Sequence, residues 1–465
     1  MNLLAGALLV GALAAASCDQ VVRVGGGFEL LIDVPASPVR DLDVLFVIDD
    51  SGSMADEQDQ LAASMAGFAA ALASDDRGPL DLQVAVTSTD LGAGPVDLLR
   101  CEGEGDGGHL LVGPAGADCQ VDGTYLVDVA VDGGDARVTN YPAGRLAETL
   151  ACMTRLGASG CGFEQPLAAA RRALDGSHPD SAGFVRDGAL LAVFFVTDED
   201  DCSASDRSLF DPGQDDRAAP LGELSSFRCF EFGVSCDGTA PDPVAARSVG
   251  PRRGCRPADD SAYLAPVADF ADFLRDLKRS PALVLVGGIF GDAGPVAVEE
   301  VDGRLALADV CPSPTASAAP AVRLHALAAG LSGPDGIASL CDPDPSARPA
   351  ALAASALAAL RATRCLRRDP LDADPDRAGV QPACRAFTIA DRARREIAPC
   401  AAAAEAASGA ATPCFAIEPD LEACRFGDSA LALRVDGPLP AAPDVRLQLE
   451  CLAGPPSTSP PDPVD

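Results

Sequence analysis

The sequence predicts an α/β fold: a doubly wound, mostly parallel central sheet flanked by helices, with disulfide-rich insertions and a small C-terminal Cys-rich, β-containing module. Three observations carry this. Short apolar runs at 44–48, 80–89, 190–196 and 282–290 have the length and branched character of buried strands. Stripes at helical spacing follow or lie between them, as in Leu61, Met65, Phe68 and Leu72, or Leu264, Val267, Phe270 and Leu277, and that alternation marks a parallel sheet covered on both faces. Finally, cysteines crowd the Gly-, Asp- and Pro-rich stretches between these elements, and six of the seventeen lie from Cys365 onward.

Taken in order, residues 1–17 are apolar and small, too short to cross a bilayer, which needs about 20 residues, and they read as a signal peptide. Ala15-Ala16-Ser17-Cys18 resembles a bacterial lipoprotein cleavage site, although no Lys or Arg follows Met1 and Ala15 stands where Leu is commoner. The resemblance implies a lipidated Cys18 and membrane attachment through that N-terminal lipid only, while Gly25-Gly26-Gly27 and two prolines make 18–40 read as a tether with one strand at 28–34.

The main domain is expected over 41–362. Its first strand ends at Ile48, and a helix begins at Met54. Between them Asp49, Ser51 and Ser53 stand at alternate positions, with Gly52 free to turn, so three oxygens can face one place. The second strand is expected at 80–89. An excursion over 92–142 holds a third strand at 125–131, and a helix carries Leu146, Leu150, Met153 and Leu156. Leu167, Ala170 and Leu174 mark the next helix, after GCGFEQ. The run Leu190–Val196 ends in Thr197-Asp198-Glu199-Asp200-Asp201, where open α/β sheets place ligands. Asp198 is taken as a functional carboxylate and the other acids as solvating. A second insertion spans 201–262, an edge hairpin 296–308, and a last helix 350–360. The module over 363–454 has strands at 431–435 and 445–449, and 455–465 is a tail without a core.

Asp49-x-Ser51-x-Ser53 after a first strand, together with Asp198 after a central one, resembles the von Willebrand factor A family and its metal-ion-dependent adhesion site. The resemblance implies a Rossmann-like domain whose Mg²⁺ (or Mn²⁺ or Ca²⁺) keeps one position open for an acidic side chain of a protein partner. It also implies a Thr ligand at the loop before the 167–174 helix. Here that place falls on Cys161 or a neighbouring Gly. A paired cysteine is not a hard-oxygen ligand, so a backbone carbonyl, water or Glu164 fills the position, or the site is weaker.

The net charge of −34 repels phosphate backbones and argues against nucleic acid. Without Cys18, sixteen cysteines remain, an even number suited to full pairing outside the cytoplasm. Cys101 with Cys119, Cys152 with Cys161, Cys229 with Cys236, and Cys311 with Cys341 are the neighbouring choices. No CxxC supports a zinc or iron–sulfur role, and Asp372, Asp374 and Asp376 lack the Gly and Glu of a calcium loop. No GxSxG, HExxH or Walker-type loop is present, and His109, His178 and His325 stand in unrelated contexts. The expected function is a non-enzymatic cell-envelope lipoprotein mediating metal-dependent adhesion. The alternatives are a structural envelope protein with a degraded metal site and, last, an extracytoplasmic hydrolase.

Overall fold

The computed structural model describes residues 20–24, 27–35, 39–131, 136–237, 247–278, 280–311, 316–333, 336–366, 370–373, 382–390, 393–400, 413–420, 424, 429–437, 439 and 445–453. The expected signal segment, Cys18, Asp374, Asp376 and residues 455–465 lie outside them. In chain order, β1 (Gln20–Val24) and β2 (Gly27–Pro35) precede β3 (Asp41–Ile48), α1 (Ala55–Ala73), β4 (Asp81–Ser88), β5 (Leu126–Ala130) and β6 (Arg137–Thr139). Then come α2 (Leu146–Met153), α3 (Pro166–Leu174), β7 (Leu190–Val196), α4 (Phe227–Gly233), β8 (Val234–Ser235), β9 (Gly250–Arg252) and β10 (Arg256–Pro257). Next are α5 (Val267–Asp276), β11 (Val284–Phe290), β12 (Val296–Val301), β13 (Arg304–Leu307), α6 (Val322–Leu331), β14 (Ile337–Ser339) and α7 (Arg348–Ala362). The chain closes with β15 (Cys384–Ala390), β16 (Ala393–Pro399), β17 (Cys414–Pro419), β18 (Leu431–Asp436) and β19 (Arg446–Ala453).

The central sheet runs β14-β11-β7-β3-β4-β5-β6, parallel from β14 to β4 and antiparallel at β5 and β6. This is the doubly wound, mostly parallel architecture expected. Side-chain alternation along β3 divides its residues between two cores. Val44, Phe46 and Ile48 pack with Met65 and Phe68 of α1, Leu150 of α2 and Leu352 of α7. Leu45 and Val47 pack on the other face with Leu167 of α3, Phe270 of α5 and Leu324 of α6. Phe46 sits between the rings of Phe68 and Phe194 at 5.5 and 5.8 Å, and burial of each such ring is worth roughly 1.5–3 kcal/mol.

Several expectations are corrected. The strand expected at 28–34 is present as β2, but the segment is no free tether: with β1 it enters a second sheet, β1-β2-β19-β15-β16-β17-β18, because β2 pairs antiparallel along β19. Three unexpected strands, β15, β16 and β17, complete that sheet. The hairpin β12–β13 is not an edge of the central sheet, since it pairs with β9 of the second insertion instead.

Three of the four disulfides expected from spacing are not formed. The pairs are Cys101–Cys161, Cys119–Cys152, Cys202–Cys229 and Cys236–Cys255, with Cys311–Cys341 as expected. Two of these fail because the excursion after β4 folds back over the loop before α3, bringing distant cysteines together, and Cys229 and Cys236 pair with Cys202 and Cys255 within the second insertion. Cys365–Cys424, Cys384–Cys451 and Cys400–Cys414 staple the C-terminal module. Sixteen cysteines in eight disulfides are the state of an oxidising, extracytoplasmic compartment. Among the described residues no helix is long and apolar enough to cross a membrane.

Candidate metal centre

Parallel register sets the site. One residue beyond the strands, the amide of Asp49 donates to the Val196 carbonyl at 2.9 Å, that of Thr89 to Ile48 at 3.1 Å, and that of Thr197 to Ile289 at 3.1 Å. Thr89, Asp49 and Thr197 therefore emerge at the carboxyl ends of adjacent strands, the place where such sheets bind ligands.

Asp49 is fully buried and held at both oxygens. Its Oδ1 accepts the Ser51 amide at 2.8 Å, and its Oδ2 accepts the Thr197 hydroxyl at 2.6 Å. The hydroxyls of Ser51 and Ser53 lie 3.0 Å apart, and Ser53 also reaches Asp198. The turn itself is braced from α1, where the Gln58 side chain donates to the carbonyls of Asp49 and Gly157, both at 2.7 Å.

Glu164 comes from the loop before α3 and is fully buried beside Asp49. The Thr89 hydroxyl donates to its Oε2. That loop is anchored by Cys161–Cys101 and by Phe163, whose ring lies 4.8 Å from Phe210 in a small core shared by both insertions. Cys161 is thus a staple, and the group that this loop places beside Asp49 is Glu164. All five oxygen-bearing side chains expected at the site, those of Asp49, Ser51, Ser53, Glu164 and Asp198, belong to this one neighbourhood.

The electrostatics are one-sided. Among the described residues no arginine or lysine forms an ion pair with Asp49, Asp50, Glu164, Asp198 or Glu199. Burial raises the Asp49 carboxyl above its ordinary range, and burial plus the Asp49 charge puts Glu164 well above its own. Burial, then Asp49, pushes Asp198 up to about 7, and burial with Asp49 and Asp198 pushes Glu199 up to about 8. Asp50 reaches about 8 through burial and the neighbouring Asp90 and Asp106. Asp50 Oδ1, Glu164 Oε1 and Asp198 Oδ1 are buried without a hydrogen-bond partner. Such a cluster is neutralised only by protons or by a cation. Its all-oxygen donor set fits a hard divalent cation.

The acids after Asp198 are not merely solvating. Glu199 faces the site, Asp200 accepts the Arg323 and Leu324 amides at the start of α6, and Asp201 forms a fully buried ion pair with Arg323 at 3.0 Å. Asp201 Oδ1 also accepts the Leu167 amide at 3.1 Å, tying α3, and with it the Glu164 loop, to the end of β7. Thr89, Thr197 and Gln58 were not anticipated from the sequence. Their only signal is a polar group one residue past a strand or one turn into a helix.

No family model matches the chain, and no curated protein matches it. Solved structures show distant likeness. A von Willebrand factor type A protein from Catenulispora acidiphila is 13% identical, with a TM-score of 0.27, over 95% of this chain and 63% of that one. The pilus adhesin SpaC from Lactobacillus rhamnosus GG, in an open conformation, is 10% identical, with a TM-score of 0.31, over 94% and 42%. The pilus adhesin RrgA from Streptococcus pneumoniae is 12% identical, with a TM-score of 0.28, over 94% and 60%. The match spans less than two thirds of each of those chains, and at such TM-scores the likeness carries no function across.

Proposed function

We propose that the chain is a non-enzymatic cell-envelope protein whose A-type domain binds a divalent cation, Mg²⁺ or its Mn²⁺ and Ca²⁺ substitutes, and mediates metal-dependent adhesion to another protein. The observation that carries this is the convergence of Asp49, Glu164 and Asp198 around Ser51 and Ser53, with orphaned buried oxygens and, among the described residues, no ion-paired base. When bound, the cation supplies a positive coordination position for an acidic side chain of the partner.

Asp49 is the organising carboxylate, pre-set by Thr197 and the Ser51 amide, and the Ser51 and Ser53 hydroxyls offer neutral oxygens. Asp198 and Glu164 supply charge from the neighbouring loops. Glu164 takes the place that the family resemblance gives to Thr, and it brings a negative charge to the site in exchange. The stapled insertions, one after β4 and one after β7, stand beside the site and supply partner specificity, since recognition concentrates on loops held by a rigid scaffold. Cys18, outside the described residues, is the proposed lipid anchor to the envelope.

The test is adhesion. Beads coated with the oxidised chain are expected to adhere to envelope surfaces in Mg²⁺, to release in EDTA, and to fail in both when Asp49→Ala is used. Equal adhesion of Asp49→Ala and wild type in Mg²⁺ would remove this reading.

A further inference from the structure

Two of the three histidines, far apart in sequence, meet away from the carboxylate site. His109 lies in the excursion after β4 and His178 in the turn after α3, and their rings are 4.0 Å apart. His109 Nδ1 is 2.9 Å from Asp180 Oδ2. One ligand atom from each of His109, His178 and Asp180 falls within 4.8 Å of the others. The nine residues of α3 place this group about 13 Å along the helix from the Glu164 loop.

Two of the three groups, His178 and Asp180, are held from the backbone. His178 Nε2 is 3.1 Å from the Gly107 carbonyl, which only accepts, so Nε2 carries the proton and Nδ1 keeps its lone pair. A carbonyl gripping the far ring nitrogen is how proteins orient an imidazole toward a metal. Asp180 Oδ2 also accepts the Leu110 amide at 3.2 Å, while its Oδ1 is buried with no partner. Gly108 makes the approach possible. Its φ of +83° suits glycine, and a Cβ there would fall 2.5 Å from Arg172 Cβ on α3. His109 is 53% exposed, so an ion can enter from solvent.

We propose that His109, His178 and Asp180 form a second metal site, selective for a zinc-class transition ion, that clips the excursion onto α3. Two imidazoles and a carboxylate suit Zn²⁺, Ni²⁺ or Cu²⁺ rather than Mg²⁺, and three protein ligands leave a fourth position for water. This site is independent of the adhesion site and of the function proposed for it.

The experiment is Zn²⁺ titration calorimetry on the full oxidised chain in saturating Mg²⁺, with Co²⁺ absorption as the spectroscopic readout. One equivalent of Zn²⁺ is expected, with visible Co²⁺ bands of a nitrogen- and oxygen-ligated site. His109→Ala and His178→Ala should each weaken binding by roughly tenfold or more and abolish those bands, while His325→Ala changes neither. Far-UV circular dichroism and the melting temperature without added Zn²⁺ verify that each variant is folded, and the exposed His109→Ala is the safest of them. Absence of a Zn²⁺ equivalent in the wild type, or binding unchanged in both cluster variants, would overturn the proposal.

Discussion

Replacing Cys101 and Cys161 by Ser isolates what holds the Glu164 loop in place. The bond closes a loop of 60 residues, and chain entropy alone assigns it about 4 kcal/mol. Cys119–Cys152 lies inside that loop and shortcuts it to roughly 30 residues, which lowers the figure to about 3.5 kcal/mol. At about 2 °C per kcal/mol for a domain of this size, differential scanning calorimetry under non-reducing conditions should record a melting temperature lower by roughly 7 °C. Because Cys161 stands three residues before Glu164, the same variant should bind Mn²⁺ more weakly in parallel calorimetry. A melting temperature within about 1 °C of wild type, with unchanged Mn²⁺ affinity, would refute the reasoning that this staple positions the loop.

Asp201→Asn removes the carboxylate ion-paired with the fully buried Arg323 and should cost about 3 kcal/mol, read as a lower denaturant midpoint in equilibrium unfolding. Lys278 is buried against Asp43, and burial holds its ammonium down to about 8 against an ordinary 10.5. Between those values the unfolded chain binds more protons than the folded one, so stability should rise as pH climbs from about 8 to about 10.5. Lys278→Met should flatten that rise in urea midpoints measured across the window, while Arg186 keeps its 2.7 Å bond to Asp43. Gly160→Ala would put a Cβ 2.2 Å from Asp50 Oδ1, and the forced rearrangement should cost about 1–3 kcal/mol in thermal unfolding.

What was legible in the sequence was whatever repeats or changes period. The strand ending at Ile48, the shift to helical spacing and the alternating Asp49, Ser51 and Ser53 marked the loop, and the apolar run before Thr197 marked Asp198. Glu164 was visible only as one of several groups able to replace a missing Thr. Thr89 and Thr197 carry no periodic mark, because a hydroxyl just past a strand acquires meaning only when parallel register lines up neighbouring strand ends. Asp200 and Asp201 looked solvated because they sit in an acidic run, while the partner that buries Asp201 is Arg323, 122 residues on. The disulfides were misread because pairing follows converging loops rather than spacing. Strand β16, ARREIAP, buries only Ile397 and shows little apolar alternation.

The central claim is that the buried carboxylates around Asp49 exist to hold a cation. Titration calorimetry with Mn²⁺ and Mg²⁺ on the oxidised chain tests it most directly, beside Asp49→Ala combined with Asp198→Ala and beside Glu164→Gln. The account predicts saturable binding of one equivalent, weakened by Glu164→Gln and lost in the double variant. No binding by a folded wild type with its disulfides intact, or binding that survives the double variant, would contradict it.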